Sequence, residues 1–390
     1  GTNGKTLTTA LSTRVLREKY PQVVTNPSGS NMEQGIVTAF ITAPRAKQKG
    51  LAVLEVDEAN VRMITKHIQP IAIVMTNLFR DQMDRYGEIY TTYDKILAGV
   101  KLAPKATIIA NGDEQIFNTK DLPNPVIYYG FANDHQEDLR APANTDGLLC
   151  PKCQHILHFH NITYASLGEY FCPNCGFHRP ELTYKVTAIG SMTPTSSKFQ
   201  IDGHPFEIGV GGLYNIYNAL AAYSLGRFLG VSPAQIQNAF QADEHVFGRQ
   251  EIINVDGKEV TLVLVKNPVG LNQVIDMVLT DPEPFSFGFL LNAHYADGID
   301  TSWIWDGNFE KLNNHSIKKF FTGGERYKDI STRLTMAGIN DIEEEPDLAK
   351  VIDKIKQMPT KHVYVLSSYT AMLQLRKELA ERKYIQGGMD

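Results

Sequence analysis

The chain has 390 residues, with 38 Lys and Arg against 43 Asp and Glu, a formal charge of −5 at pH 7, and 43% hydrophobic residues. That length implies two or three domains with ample core, and the acidic balance argues against a nucleic-acid binder, whose affinity depends on clustered Lys and Arg. No apolar run approaches the ~18 residues of a membrane span, and no secretory signal is visible.

The first six residues carry the strongest chemical signal. Gly1-Thr2-Asn3-Gly4-Lys5-Thr6 opens a helix expected over 6–19. Glycines let backbone N–H groups approach phosphates, the lysine reaches the β- and γ-phosphates, and the threonine hydroxyl can ligate Mg²⁺. The dipole of the following helix favours the same anions. An ordinary Gly/Asn turn is the plainer alternative, and Lys-Thr in register with acidic stretches downstream weighs against it. Such a loop hangs off a buried strand, so the numbering is expected to start inside a longer protein or without its N-terminal part. ATP is the expected ligand and the cytoplasm the expected location, any lipid-linked substrate being met at the inner face of the membrane.

A strand is expected at 23–25, then a small polar loop at 26–31, a plausible substrate-side surface or equally a structural turn, then a helix over 32–42. The apolar run 51–56 reads as a buried strand with Glu55 near its end. An acid there, beside a phosphate loop, is a Mg²⁺ candidate, whereas Asp57 or Glu58 better suits the cap of the helix through Ile64. The next buried strand, 71–76, runs into Asn77 and a segment bearing Asp81 and Asp84, three apart and so on one side of a helical turn. A solvated helix start explains those two acids as well. A helix over 90–102, with Lys95 as a solvated lysine, precedes a strand at 106–110 and the turn Asn111-Gly112-Asp113. Strand and helix in repetition mean a doubly wound parallel sheet with ligands at the carboxyl ends of its strands.

A strand at 126–129 leads to the four cysteines, Cys150-Pro-Lys-Cys153 and Cys172-Pro-Asn-Cys175. Two knuckles at this separation have the spacing of a four-thiolate Zn²⁺ site. Four thiolates leave no open position for catalysis, so the zinc is structural, in a ribbon inserted at about 146–180. Disulfides are the alternative, disfavoured in a reducing compartment. No cysteine is then left as a nucleophile. Antiparallel strands follow over 182–208. A small-residue helix comes next, with Asn215 and Asn218 on one face, and a second helix over 233–242 ends near Gly248-Arg249. From about 251 a second βα alternation begins, with strands at 260–265, 285–291, 318–321 and 362–366. Its helices are expected at 270–280, 327–337, 347–357 and 370–382. The domains are therefore 1–250 and 251–390.

The loop 1–6, Thr76-Asn77 with Asp81, Asp84 and Gly87, Asn111-Gly-Asp113, Asn215-Ile-Tyr-Asn218-Ala-Leu-Ala-Ala and Gly248-Arg249 together resemble the Mur ligase superfamily, over most of the chain. The resemblance implies an α/β fold with a Mur ligase-like central phosphate-loop domain and a smaller Rossmann-like C-terminal domain. It also implies an enzyme that phosphorylates a carboxylate with ATP and lets an amine displace the phosphate. Typical members have histidines where this chain has Gln82 and Arg85-Tyr86, and an Asp-His motif where it has Lys266-Asn267-Pro268. The amino-acid-adding members lack a four-cysteine ribbon. The chain is closest in character to one subgroup, the synthetase subunits of lipid II isoglutaminyl synthases, through 79–88, 266–270 and Asp297-Gly-Ile-Asp300-Thr-Ser-Trp303.

That subgroup implies amidation of the D-glutamate α-carboxylate of the lipid II stem peptide to D-isoglutamine. Its ammonia comes from a GatD-type class I glutaminase partner, whose Cys-His pair Asp300 completes across the interface, orienting the histidine. A glutaminase needs a cysteine activated by a histidine, and here all four cysteines are committed to zinc. Read from the residues alone, Asp300 is a cap or turn residue, and Asp297, Asp300 and Asp306 cannot be ranked by spacing. Within the resemblance, Lys5 and the backbone of Gly1, Thr2, Asn3, Gly4 and Thr6 hold the phosphates, and Thr6 and Glu55 ligate Mg²⁺. Asn77, Asp81 and Asp84 border the acyl-phosphate site. Asn215 or Asn218 reads the adenine with a carboxamide, and Asp113 and Arg249 are weaker nucleotide candidates. The competing readings are an amino-acid-adding Mur or folylpolyglutamate-type ligase, and an ATP-binding scaffold.

Overall fold

A computed structural model describes the chain outside residues 27–29, 46–49, 81–88, 135, 142–146, 242–249, 315–316 and 387–390. The residues group into two units, Gly1–Met192 with Ser196–Asp243, and Glu244–Asp390 with Thr193–Thr195.

In the first unit, helix α1 (Lys5–Arg17) begins directly at the glycine loop. Gly4 is its N-cap in a left-handed conformation, φ 83°, with no side chain of its own to cap the helix, and the first turn holds no acid. The positive dipole end of the helix therefore lies at the loop, where it favours an anion. Strand β1 (Val23–Thr25) pairs in parallel with β2 (Leu51–Val53), with α2 (Glu33–Thr42) between them in sequence. The strand expected over 51–56 stops at Val53 because Asn26 takes over the ladder's work. Its side chain accepts from Glu55 N–H at 2.9 Å and donates to Glu55 O at 2.8 Å.

Helix α3 (Val61–His67) leads to β3 (Ala72–Met75), α4 (Ile89–Val100), β4 (Thr107–Asn111) and β5 (Val126–Phe131). Strands β3, β4 and β5 are parallel neighbours. All five residues of β4 are buried, as expected of a strand covered on both faces. Between the two cysteine knuckles, β6 (His158–Tyr164) and β7 (Leu167–Phe171) form an antiparallel pair over their own small core of Cys150, Leu157, Phe159, Tyr170, Cys172 and Phe177. The chain then re-enters the main sheet as β8 (Tyr184–Thr193), parallel to β5, followed by β9 (Ser196–Ile201) and β10 (His204–Ile208). The β9–β10 hairpin turns on Asp202-Gly203, both at positive φ, the pairing that a two-residue turn requires. The six-stranded order is β10-β9-β8-β5-β4-β3. Helices α5 (Leu213–Phe228) and α6 (Pro233–Gln241) complete the unit, and α5 is buried along most of its length.

The second unit has one sheet, ordered β11-β12-β16-β13-β14-β15. Its strands are β11 (Glu251–Val255), β12 (Lys258–Leu264), β13 (Phe285–Leu290), β14 (Ile317–Gly323), β15 (Ile342–Glu345) and β16 (His362–Ser367). Only the β11–β12 pair is antiparallel. Helices α7 (Pro268–Val278), α8 (Tyr327–Met336), α9 (Leu348–Gln357) and α10 (Tyr369–Glu381) cover it. Alternation divides each central strand between two cores. Phe285, Phe287 and Phe289 face one with Leu271, Ile275 and Leu334, while Val363 and Val365 face the other with Val351, Ile355 and Leu375. The stretch Lys266-Asn267-Pro268 is in part a helix start, with Asn267 as N-cap accepting from Gly270 N–H at 2.8 Å.

Candidate functional site

The glycine loop is fixed by the strand end at 76–79. Thr2 N–H donates to Asn77 O at 2.9 Å, and Thr2 Oγ1 donates to Phe79 O and accepts from Phe79 N–H, at 3.1 and 3.0 Å. The Asn77 carboxamide brackets Asn3, accepting from its N–H at 2.8 Å and donating to its carbonyl at 3.1 Å. Asn77, expected to border the acyl-phosphate site, is thus engaged in shaping the loop. Gly4 is required twice over. Its φ is positive, and a Cβ there would lie 2.0 Å from Asn218 Oδ1.

Lys5 folds across the loop, its Nζ donating to Gly1 O at 2.6 Å and to both carboxylate oxygens of Glu58 at 2.9 and 3.2 Å. Glu58 is 5% exposed. Burial acts to raise its pKa, but the charge and hydrogen bonds of the Lys5 ammonium hold it well below the ordinary 4.5. Glu55 is equally buried, and its Oε1 accepts from Asn31 Nδ2 at 2.9 Å. Asp57 does not cap α3, whose N-cap is Asn60 with no side-chain cap bond; it holds the preceding turn instead, accepting from Ala59 N–H at 3.0 Å. Two acids therefore lie at the loop, with different partners. Sequence reasoning gave the Mg²⁺ role to Glu55 and missed Glu58, which shares the carboxyl end of β2 with two other acids and has no distinguishing local signal.

A cavity of about 410 Å³ opens beside Lys5, Glu55 and Glu58, walled by Leu16, Val53, Ile73, Met75 and Leu225. Aliphatic walls exclude it as the seat of a polyphosphate, which would lose hydration without compensating donors.

A test of the Lys5–Glu58 pair follows from its charge. A depressed carboxyl pKa adds stability that is present above the unfolded value, near 4.5, and is lost as pH falls through the folded value. Glu58→Gln is expected to lower stability at pH 7 by about 2 kcal/mol and to flatten the acid limb relative to the parent. Denaturant unfolding at a series of pH values reads both effects.

Asn215 and Asn218 are 3% exposed and hydrogen-bond each other, Asn218 Nδ2 to Asn215 Oδ1 at 3.2 Å. Asn218 Oδ1 also accepts from the Thr8 hydroxyl at 3.1 Å, which places this pair against α1 at the loop. Asp113 has no exposed surface. Its carboxylate is consumed by Phe131 N–H at 2.8 Å, Tyr217 OH at 2.7 Å and Arg179 Nη1 at 2.7 Å, so it is a packing centre and presents nothing to a nucleotide. Lys95 is exposed on α4, as expected. Asp81, Asp84, Gln82, Arg85, Tyr86, Gly87, Gly248 and Arg249 lie outside the described residues, as do residues 27–29 of the loop at 26–31.

The four cysteine sulfurs lie within 4.8 Å of one another. Cys150 and Cys175 are 3.6 Å apart and Cys153 and Cys172 3.4 Å. A tetrahedron with Zn–S bonds of about 2.3 Å has edges of ~3.8 Å, so four sulfurs gathered this closely are compatible with the corners of such a site.

In the second unit burial ranks the three aspartates that spacing could not. Asp297 is 6% exposed and locks its loop, accepting from His294 N–H at 3.0 Å, Thr370 N–H at 2.7 Å and Thr370 Oγ1 at 2.5 Å. Asp306 is half-buried. Asp300 is exposed, its carboxylate held by Ser302 N–H at 2.8 Å and the Ser302 hydroxyl at 2.9 Å. Within five positions of it in the sequence are apolar side chains open to solvent, Tyr295 at 79%, Ile299 at 65% and Trp305 at 51% exposure, residue types suited to a protein-docking surface.

Comparison with known proteins decides the family. Residues 1–176 match the Mur ligase middle domain and 264–372 the MurT ligase C-terminal domain. The whole chain is 49% identical, over 393 aligned positions, to the lipid II isoglutaminyl synthase (glutamine-hydrolyzing) subunit MurT of Streptococcus pneumoniae, covering 88% of that protein. The chain belongs to the MurT family of Mur ligases. The corresponding MurT subunit of Staphylococcus aureus strain COL is 32% identical, again over the whole chain and 87% of the relative. Among solved structures, the pseudomurein peptide ligase type C of Methanothermus fervidus superposes with a TM-score of 0.73 at 18% identity, over 98% of this chain and 77% of that one. The Mur ligase-like α/β fold expected from the sequence is therefore the fold observed, and membership of the MurT family makes the chain a ligase and removes the scaffold reading.

Proposed function

We propose that this chain is the synthetase subunit of a glutamine-dependent amidotransferase that converts the D-glutamate α-carboxylate of the lipid II stem peptide to D-isoglutamine. The observation that carries the reading is the 49% identity, along the entire chain, to a subunit whose name specifies lipid II and glutamine hydrolysis. The loop geometry supports it. Lys5 and the start of α1 converge where a triphosphate would lie, and a phosphate arriving there takes over the Lys5 ammonium from Glu58.

In the first step a substrate carboxylate oxygen attacks the γ-phosphorus of ATP and ADP departs, giving an acyl phosphate. Ammonia then attacks the acyl carbon, phosphate leaves and a proton is lost, giving the amide. Lys5 and the loop N–H groups neutralise the charge that develops in the first step. Thr6 and Glu55 would hold Mg²⁺, with Glu58 as the second acid within reach. When bound, the ion neutralises the phosphate oxygens. Asp81 and Asp84 border the acyl phosphate, and Asn215 or Asn218, with Arg249 nearby, contacts the base. The four-thiolate cluster holds Zn²⁺ as a structural ion. We assign residues 1–250 as the ATP-binding central domain, with the ribbon at about 146–180, and 251–390 as the C-terminal domain.

Ammonia needs a source. Hydrolysis of glutamine through a thioester requires a thiolate, and the chain's four cysteines are gathered in one metal-binding cluster. We therefore assign a class I, GatD-type glutaminase as partner, docked at the apolar surface around Asp300. No helix among the described residues is long and apolar enough to cross a membrane. We place the encounter with the lipid-linked substrate at the inner membrane face.

The deciding experiment combines the chain with a glutaminase subunit, ATP, Mg²⁺, glutamine and lipid II, with mass spectrometry of the released muropeptide. The expected product carries one carboxyl-to-amide change and forms from glutamine only when both subunits are present. Efficient transfer of a free amino acid without a partner would overturn the reading in favour of an amino-acid-adding ligase.

A further inference from the structure

We propose that the four-cysteine ribbon positions the nucleotide site, through Arg179, Asp113 and Tyr217. The inference rests on the reading of the glycine loop as a nucleotide site and adds a regulating element to it.

Arg179 follows the last cysteine by four residues and is tied to the ribbon by its own backbone, its N–H donating to Tyr170 O on β7 at 3.0 Å. Neighbouring turns fix the knuckle, with Cys172 N–H to Phe177 O at 2.6 Å and Gly176 N–H to Cys172 O at 3.0 Å. The Arg179 side chain leaves the ribbon for the main sheet. Nη1 donates to Asp113 Oδ1 at 2.7 Å and to Phe131 O at 2.8 Å, while Nη2 lies 3.2 Å from Glu169 of β7. Asp113, at the end of β4, is fully buried and depends on Arg179 for charge compensation.

The other oxygen of Asp113 accepts from the Tyr217 hydroxyl at 2.7 Å. That hydroxyl lies 3.1 Å from Thr163 Oγ1 of β6, so α5 is held by the ribbon directly as well. The Tyr217 ring stacks on Phe131 at 4.3 Å. Tyr217 stands between Asn215 and Asn218 on α5, and Asn218 is the residue against which Gly4 and Thr8 pack. A path thus runs from the cysteine knuckle through Arg179, Asp113 and Tyr217, and then along the α5 backbone to Asn218 and the loop.

The physical consequence is directional. Removing the metal releases the knuckle that carries Arg179, and without the guanidinium the fully buried Asp113 carboxyl group loses its ion-pair partner. Relief requires movement of the carboxylate or of its remaining side-chain donor, Tyr217, and α5 is the element that Tyr217 moves. Low dielectric makes such networks respond as a unit. Arg179 is therefore a positioning residue for nucleotide binding although it touches neither nucleotide nor metal.

The test measures Mg²⁺–ADP affinity by calorimetry on the whole chain, well below each protein's melting temperature. Samples are metal-loaded or stripped with a thiophilic-metal chelator that is removed before titration. Stripping is expected to weaken ADP binding roughly tenfold in the parent. Arg179→Ala is expected to show a similar loss while still loaded, and little further loss when stripped. Tyr217→Phe keeps the ring stacking and removes only the hydroxyl, so it carries the test should Arg179→Ala fail to fold. It too is expected to bind ADP more weakly and to respond less to stripping. Unchanged affinity in the stripped parent, with only a lower melting temperature, would overturn the proposal and leave the ribbon a stability element. So would a Tyr217→Phe protein with parental affinity and full sensitivity to stripping. Failure of the loaded parent to bind ADP at all would overturn the reading of the loop itself, an outcome distinct from the other two.

Discussion

Lys5→Ala is expected to reduce ATP-dependent amidation by at least about 10³-fold, read as single-turnover formation of amide or ADP. Lys5 is the cation that the loop aims at the phosphates, and its Nζ is already held 2.6 Å from Gly1 O, inside the turn of the loop. Truncation has a second consequence, because it strands Glu58 at 5% exposure without the ammonium that keeps it ionised. A buried carboxylate deprived of its partner costs about 3 kcal/mol or takes up a proton instead. Stability and catalysis can be separated by pairing the change with Glu58→Gln. The double variant is expected to recover much of the lost stability, since no lone charge remains, and to recover none of the activity. Product formation by Lys5→Ala at the parental rate would remove the loop from the mechanism.

Asp300→Asn is expected to abolish glutamine hydrolysis by the complex with the glutaminase subunit, by roughly 10³–10⁴-fold, while leaving ADP binding to this chain unchanged. An acid that orients a catalytic histidine and stabilises its charged form accounts for a factor of that order. Asn preserves the size and keeps an oxygen to accept from Ser302 N–H, now at 2.8 Å, so the loop should retain its shape. Ammonium chloride supplied in place of glutamine is expected to restore amide formation, because the synthetase chemistry lies in the other unit's loop. Asp297→Asn gives the contrasting result. Its carboxylate accepts two hydrogen bonds from Thr370 at the start of α10 and one from His294 N–H in its own loop, so the expected loss is in stability. Persistent glutamine hydrolysis in Asp300→Asn would remove the acid from the partner's active site.

Much of this site was legible before any coordinates. The glycine loop at the start of α1 could be read because its shape is encoded within six consecutive residues, where glycine φ freedom is a local property. The cysteine cluster could be read because two knuckles already contain all four thiols, and the fold only has to bring them together. The alternation of buried strands with helices was equally plain. Boundaries slipped where a side chain substituted for backbone, as Asn26 did in ending β2 at Val53. Asp113 was misread for a related reason. A polar turn after a buried strand looks like a ligand-facing turn, yet this one is closed over by Arg179 from the ribbon, 66 residues further on.

By itself the sequence determined an α/β fold, a glycine loop that opens a helix with Lys5, two cysteine pairs, and a family resemblance that comparison bears out. Only the tertiary structure decided which acid faces Lys5, which aspartate remains at the surface, and what Asp113 serves. The physical reason is that these are choices among chemically equal carboxylates. Glu55, Asp57 and Glu58 differ little in sequence context, as do Asp297, Asp300 and Asp306. What separates them is the cost of burying a charge, which is met only where a distant segment delivers a donor, such as Lys5 to Glu58 across 53 residues. Local pattern records the presence of a charge, and packing alone assigns its partner.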